Sequence, residues 1–197
     1  MSLGSWLLAG FSTAAAIPAA VEVDNATKRK LPLPKWLRAS LGKAATPAGV
    51  ITGVLGGPLA GYTAVLLSNT SNPVWNDMKK HLPYVFVSSA AAASSGMAMV
   101  TTPVEHAGPA RVLGMAAAAS DLAATKVLEE GMEPEPRQAL HEGKPGTLMK
   151  ASECLIAAGG VGSMLAAATK SRAVSVAAGL SLLAGSACTR FGVLNAG

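Results

Sequence analysis

Asp121 is a carboxylate set inside an apolar stretch that runs near Ala110–Leu128. In a bilayer such a group costs at least about 2.5 kcal/mol on insertion scales, so it must face protein or water and find a partner. The readings open for it are a group that relays protons or binds a ligand, a structural partner of Lys126 or Arg190, or a position nearer the interface than the span near Ala110–Leu128 places it. Glu153 follows Lys150 by three residues, which puts both on one helix face and predicts an ion pair near a membrane surface. Arg190 can snorkel to the interface, or bind an anion or a quinone carbonyl. Tyr62 falls in an apolar stretch where its hydroxyl needs a partner. That partner is either a neighbouring helix or the carbonyl of a quinone held in a cleft. Trp75 and Tyr84 flank Asn76, Asp77 and His81. This grouping reads as an interfacial aromatic belt or as the rim of a site open to a lipid-dissolved ligand.

The same residue types exclude several chemistries. His81, His106 and His141 all fall in polar connections, whereas a di-haem membrane subunit needs axial histidines inside its bundle. Cys154 and Cys188 lie in apolar stretches and form no CxxC pattern. They read as small buried hydrophobes rather than as a disulfide, an iron–sulfur site or a zinc site. Gly159, Gly160 and Gly162 follow no strand, so they mark close helix packing rather than a nucleotide loop. The formal net charge of +5 comes from basic residues between apolar runs, where topology rather than nucleic acid explains them.

The elements that position these residues are written in the charge pattern. Ala44–Asn76 is a run of thirty-three residues without Lys, Arg, Asp or Glu, and Met1–Val21 and Leu82–Val104 are two more such runs. A bilayer core needs about twenty apolar residues in helical form. With only 14% of its residues charged, against about 25% in an average globular protein, the chain reads as an all-α, polytopic transmembrane helix bundle. A single transmembrane domain over residues 1–197 is expected, with about six spans near 3–21, 46–68, 83–101, 110–128, 147–169 and 173–191. The last three are shorter or interrupted by charge. Glu129–Gly146 reads as an exposed polar connection, or as a docking surface.

The loops on one side collect nine Lys and Arg and those on the other collect seven, with eight of the eleven acids on that second side. Positive-inside reasoning puts Glu22–Lys43 in the cytoplasm and both chain ends on the non-cytoplasmic side of the cell membrane. Met1–Val21 has no basic residue ahead of its apolar core and so reads as a span with Trp6 as an anchor, not as a signal peptide. Beginning so abruptly in a span, the chain is expected to start partway through a larger protein.

Two blocks carry a resemblance. Gly61–Asn76 (GYTAVLLSNTSNPVWN) and Leu82–Met99 (LPYVFVSSAAAASSGMAM) resemble the NrfD/PsrC-like membrane subunits of polysulfide-reductase-type oxidoreductases. The opening Met1–Phe11 and the closing Gly185–Gly197 are similar to an internal span and to the last helix of that family. The resemblance implies about eight spans, of which this chain would hold the third to the eighth. It further implies exchangeable quinone or quinol near the outer membrane surface, with no haem or iron–sulfur cluster on this chain. The implied partners are membrane lipid, an iron–sulfur subunit and a molybdopterin catalytic subunit, with no nucleic acid. Tyr62 matches the Tyr of the family's GYT block and is the carried-over quinone contact. Trp75 and Asn76 join it on the reading of the residues alone, and Asp121 is the proton-relay candidate. Two other classes compete: a small membrane transporter, which would fit an intramembrane acid, and a structural assembly protein.

Overall fold

The computed structural model describes residues 3–28, 32 and 34–197. It is all-α, and its described residues contain no strand. Arg29 and Lys30, part of the basic connection used to orient the chain, lie outside the described residues. The chain divides into two compact units, Met1–Tyr62 and Thr63–Gly197.

The first unit consists of α1 (Leu3–Ala26) and most of α2 (Lys35–Ser68). Both helices extend beyond the spans expected for them, because the polar residues at their ends continue the same turn. At 34 residues and 1.5 Å of rise each, α2 is about 51 Å long, well beyond a hydrocarbon core of about 30 Å. Gly4 on α1 leaves the room taken by the Tyr62 ring on α2, and any side-chain carbon there would overlap that ring. At the other end, Arg38 grips the buried Asp24 through two donors, Nε to Oδ2 at 2.5 Å and Nη2 to Oδ1 at 3.0 Å. The planar guanidinium matches a carboxylate in this two-point geometry.

The second unit holds α3 (Pro73–Asp77), a 3-10 turn (Met78–Lys80), α4 (Leu82–Thr101), α5 (Gly108–Glu130), α6 (Pro134–His141), α7 (Gly143–Thr169) and α8 (Arg172–Ala196). Four long helices pack in a ring of neighbours: α4 on α5, α5 on α7, α7 on α8 and α8 on α4. Glu129–Gly146 is not simply a loop, since eight of its residues form α6. Pro134 at the first turn suits a helix start, where its missing N–H costs nothing. Gly143, at φ +59°, then turns the chain into α7 with a backbone angle that glycine adopts without strain.

Among the described residues, five helices, α1, α2, α4, α7 and α8, are long and apolar enough to cross a membrane, so the chain reads as an integral membrane protein. The sixth expected span, α5, has the length, but Arg111, Asp121, Lys126, Glu129 and Glu130 lower its hydropathy. It gains its place by packing against α4 and α7.

Two kinds of core hold the unit together. Near the α3–α6 end, Met78, Leu82, Val85, Phe86, Leu128, Leu140 and Val193 fill the space with large side chains. Towards the far end of α4 the interior shrinks to Ala92, Ala117, Ala118 and Ala178 around Met99, Ile156 and Leu182. Small residues let backbones approach, and hydroxyls then bridge them. Ser89 and Ser186 meet at 2.7 Å between α4 and α8, and Ser152 meets Thr189 at 2.5 Å between α7 and α8. The GGVG run serves packing as expected, since a Cβ at Gly159 would stand 2.6 Å from Leu182 and one at Gly162 2.8 Å from Ala178. Cys188 is half-buried, but Cys154 is exposed, contrary to expectation. It sits on the outward face of α7, between the inward-facing Ser152 and Ile156.

Arginines close the α4–α5 end. Arg172, at the start of α8, donates to the carbonyls of Met99, Val100 and Thr102, and the buried Arg111 donates to Val104. Cations there satisfy carbonyls that the end of α4 leaves without a helical partner.

Candidate functional site

Asp121 is 2% exposed, midway along α5 and facing α4 and α7. Ser88 of α4 is its nearest donor, with Oγ to Oδ1 at 2.8 Å; the same Oγ lies 3.0 Å from the carbonyl of Val85. Arg190 of α8 is near enough for its charge to act on Asp121, while its guanidinium sits 5.3 Å from the centre of the Phe86 ring. Arg190 therefore does not simply snorkel outward. It lies over an aromatic face, an arrangement that favours a partly desolvated cation.

On its other side Asp121 borders a cavity of about 150 Å³ between α5 and α7. Asp121, Thr125 and Glu129 are spaced by four, so they form one stripe along α5. Lys126 flanks that stripe, Lys150, Ser152 and Glu153 line the wall from α7, and His141 contributes from α6. At about 30 Å³ each, the cavity has room for about five waters, and its walls supply the polar partners that buried water needs. His141 and Glu129 stand 3.6 Å apart at its outer part. Lys150 and Glu153 border the cavity, but they form no ion pair with one another among the described residues. This differs from expectation, because both are exposed and the pair would gain little in water.

A second recess lies where α5 meets α4. It is a groove of about 740 Å³ between α4 and α5, walled mainly by alanines and bordered by His81, Tyr84, Ser88 and Ser120. Ser88 lines only this groove, and it is joined to the polar cavity through its hydrogen bond to Asp121, which borders that cavity.

Neither Trp75 nor Asn76 lines the Asp121 cavity or the α4–α5 groove. Trp75 is half-buried on α3, and its indole N–H is already engaged by the carbonyl of Val193 at 2.9 Å. Asn76 is exposed, its amide 3.5 Å from the carbonyl of Thr70. Tyr62, half-buried, belongs to the first unit, where its ring lies against Gly4.

Comparison with protein-family models, curated proteins and solved structures finds no match. The reading of the site therefore rests on its own geometry. Sequence reasoning singled out Asp121, Lys126, Lys150, Glu153 and Arg190 but missed Ser88. The available signal was the Ser88-Ser89 pair in an otherwise apolar helix, whose hydroxyls require partners once buried.

Proposed function

We propose that the chain is the membrane-anchor, quinone-interacting subunit of a multi-subunit molybdopterin and iron–sulfur oxidoreductase, of the NrfD/PsrC-like kind. The observation that carries the reading is the buried Asp121, hydrogen-bonded to Ser88 and bordering a polar cavity of about 150 Å³. A carboxylate buried among apolar helices is expensive, and such groups mark proton routes. Quinol oxidation releases protons as its electrons leave, and a carboxylate with access to water is the group that can take them away. The resemblance of the Gly61–Asn76 block supplies the quinone and the partner subunits. In this reading the chain ends lie on the non-cytoplasmic side, where an iron–sulfur subunit would dock.

Tyr62 tests the assignment. In the assembled complex, Tyr62→Phe is expected to lower quinone-dependent turnover by roughly tenfold, about the loss of one hydrogen bond of about 1.4 kcal/mol, while the subunits still co-purify. Unchanged turnover in a complete complex would remove the quinone role.

A small proton-coupled transporter is the second reading, favoured by the same cavity beside a buried carboxylate. Substrate-driven proton movement in vesicles that hold this chain alone would select it over an electron-transfer subunit.

A further inference from the structure

We infer that the groove between α4 and α5 seats a quinol, and that it selects the reduced, hydroxyl-bearing form over the oxidised quinone. The inference rests on the function proposed above and names the ligand form and the residue that recognises it. The volume of about 740 Å³ falls within the roughly 300–1,000 Å³ typical of small-molecule sites. Ala91, Ala116 and Ala117 give the groove shallow walls, and the exposed Val87 and Leu113 on its border leave it open sideways to the apolar phase. A ring with an isoprenoid tail can enter by that route without crossing water.

The selection follows from where two protons point. A serine hydroxyl has one proton and two lone pairs. Ser88 directs its proton inward, to Asp121 at 2.8 Å or to the carbonyl of Val85 at 3.0 Å. Ser120 directs its own to the carbonyl of Ala116 at 2.8 Å. Both serines therefore present only acceptors to the groove. A quinol hydroxyl can donate to them, whereas a quinone carbonyl would bring an acceptor against an acceptor and leave both unpaired. An unpaired buried polar group is costly enough to discriminate strongly between such close analogues. His81 and Tyr84 can donate or accept, so they hold either form and do not choose. A phospholipid fits less well, because its phosphate needs donors that the two serines do not offer.

The test is binding to the full chain in lipid nanodiscs, with a naphthoquinone bearing two isoprene units as the probe, in its reduced and its oxidised form. The reduced form is expected to bind at least tenfold more tightly. Ser88→Ala should erase most of that preference. Asp121→Asn should leave most of that preference in place, because the carbonyl of Val85 still accepts the Ser88 proton at 3.0 Å. Ala91→Trp should abolish binding of both forms, and if that variant fails to fold, Val87→Trp on the exposed border repeats the test. Equal binding of the two forms to the wild type would overturn the inference, as would binding that ignores a tryptophan in the groove. Phospholipid that stays in the wild-type groove against excess quinol, and is lost from the tryptophan variant, would overturn it too. If groove variants bind quinol normally while Tyr62→Phe still slows the complex, this inference falls and the proposed function stands.

Discussion

Asp121→Asn is expected to slow quinol-dependent turnover of the assembled complex by about a hundredfold without loosening the bundle. Asparagine keeps the shape of the side chain and can still bond to Ser88, so the packing around residue 121 survives. It cannot take up a proton, and a positioned proton acceptor is worth roughly 10²–10⁴ in rate. The pH profile carries the sign. As pH falls, the wild-type carboxylate becomes protonated and can no longer accept, so turnover should decline on the acid side. The variant has no group left to titrate at this position and should lack that decline. The measurement is steady-state turnover against pH, run beside a thermal unfolding curve for each protein. A loss of stability at every pH, with the shape of the rate profile unchanged, would assign Asp121 to holding Arg190 and Ser88 in place instead.

The second large effect concerns packing. Where α4 crosses α8, a Cβ at Gly96 would stand 2.6 Å from the carbonyl oxygen of Gly179, and one at Gly179 would stand 2.5 Å from that of Gly96. The obstacle in each case is backbone, which cannot rotate away as a side chain can. Gly96→Ala should therefore force the helices apart and cost about 1–3 kcal/mol, the usual range for overpacking. Gly179→Leu should prevent the four helices from forming one folded unit. Gly53 on α2, with nothing within 4 Å of a built Cβ, is the control. There alanine should be neutral or stabilising by up to about 1 kcal/mol, because it is the better helix former. Unfolding of the three variants in mild detergent, followed by helical signal against temperature, gives the comparison. A Gly96→Ala protein as stable as the wild type would show that α4 and α8 are not held at this distance.

How much of this was legible in the sequence depended on whether the deciding interaction was local. Long uncharged runs show themselves, so α1, α2 and α4 were readable at once, although the capacity of polar flanks such as Lys35–Lys43 to extend a helix was not. Helix α5 was harder, because five charges interrupt its apolar pattern and only Arg111 and Asp121 among them are buried. Helix α6 was hidden inside a polar, proline-marked connection, and α7 lends it a surface to pack on. Asp121 announced itself as a lone carboxylate among apolar residues. Its partner did not: serines are common in such helices, and nothing near Ser88 says that position 121 will face it. The role of the Trp75 indole was equally unreadable, since Val193 lies 118 residues away. Long-range pairings of this sort come from the packing of whole helices, which the spacing of residue types along one helix does not encode.

The arginine that closes α4 sets an order of events during synthesis. Arg172 emerges from the ribosome about seventy residues after the Met99, Val100 and Thr102 carbonyls that it will satisfy, and Gly179, the close neighbour of Gly96, emerges later still. Until then the end of α4 must stay in contact with water or with the insertion machinery, since bare carbonyls are not tolerated in hydrocarbon. A nascent chain halted before residue 172 would carry a fourth helix that is formed but not yet locked, open to proteases at its α5 end. The α4–α5 end is thus completed late, by a residue that belongs to the last helix.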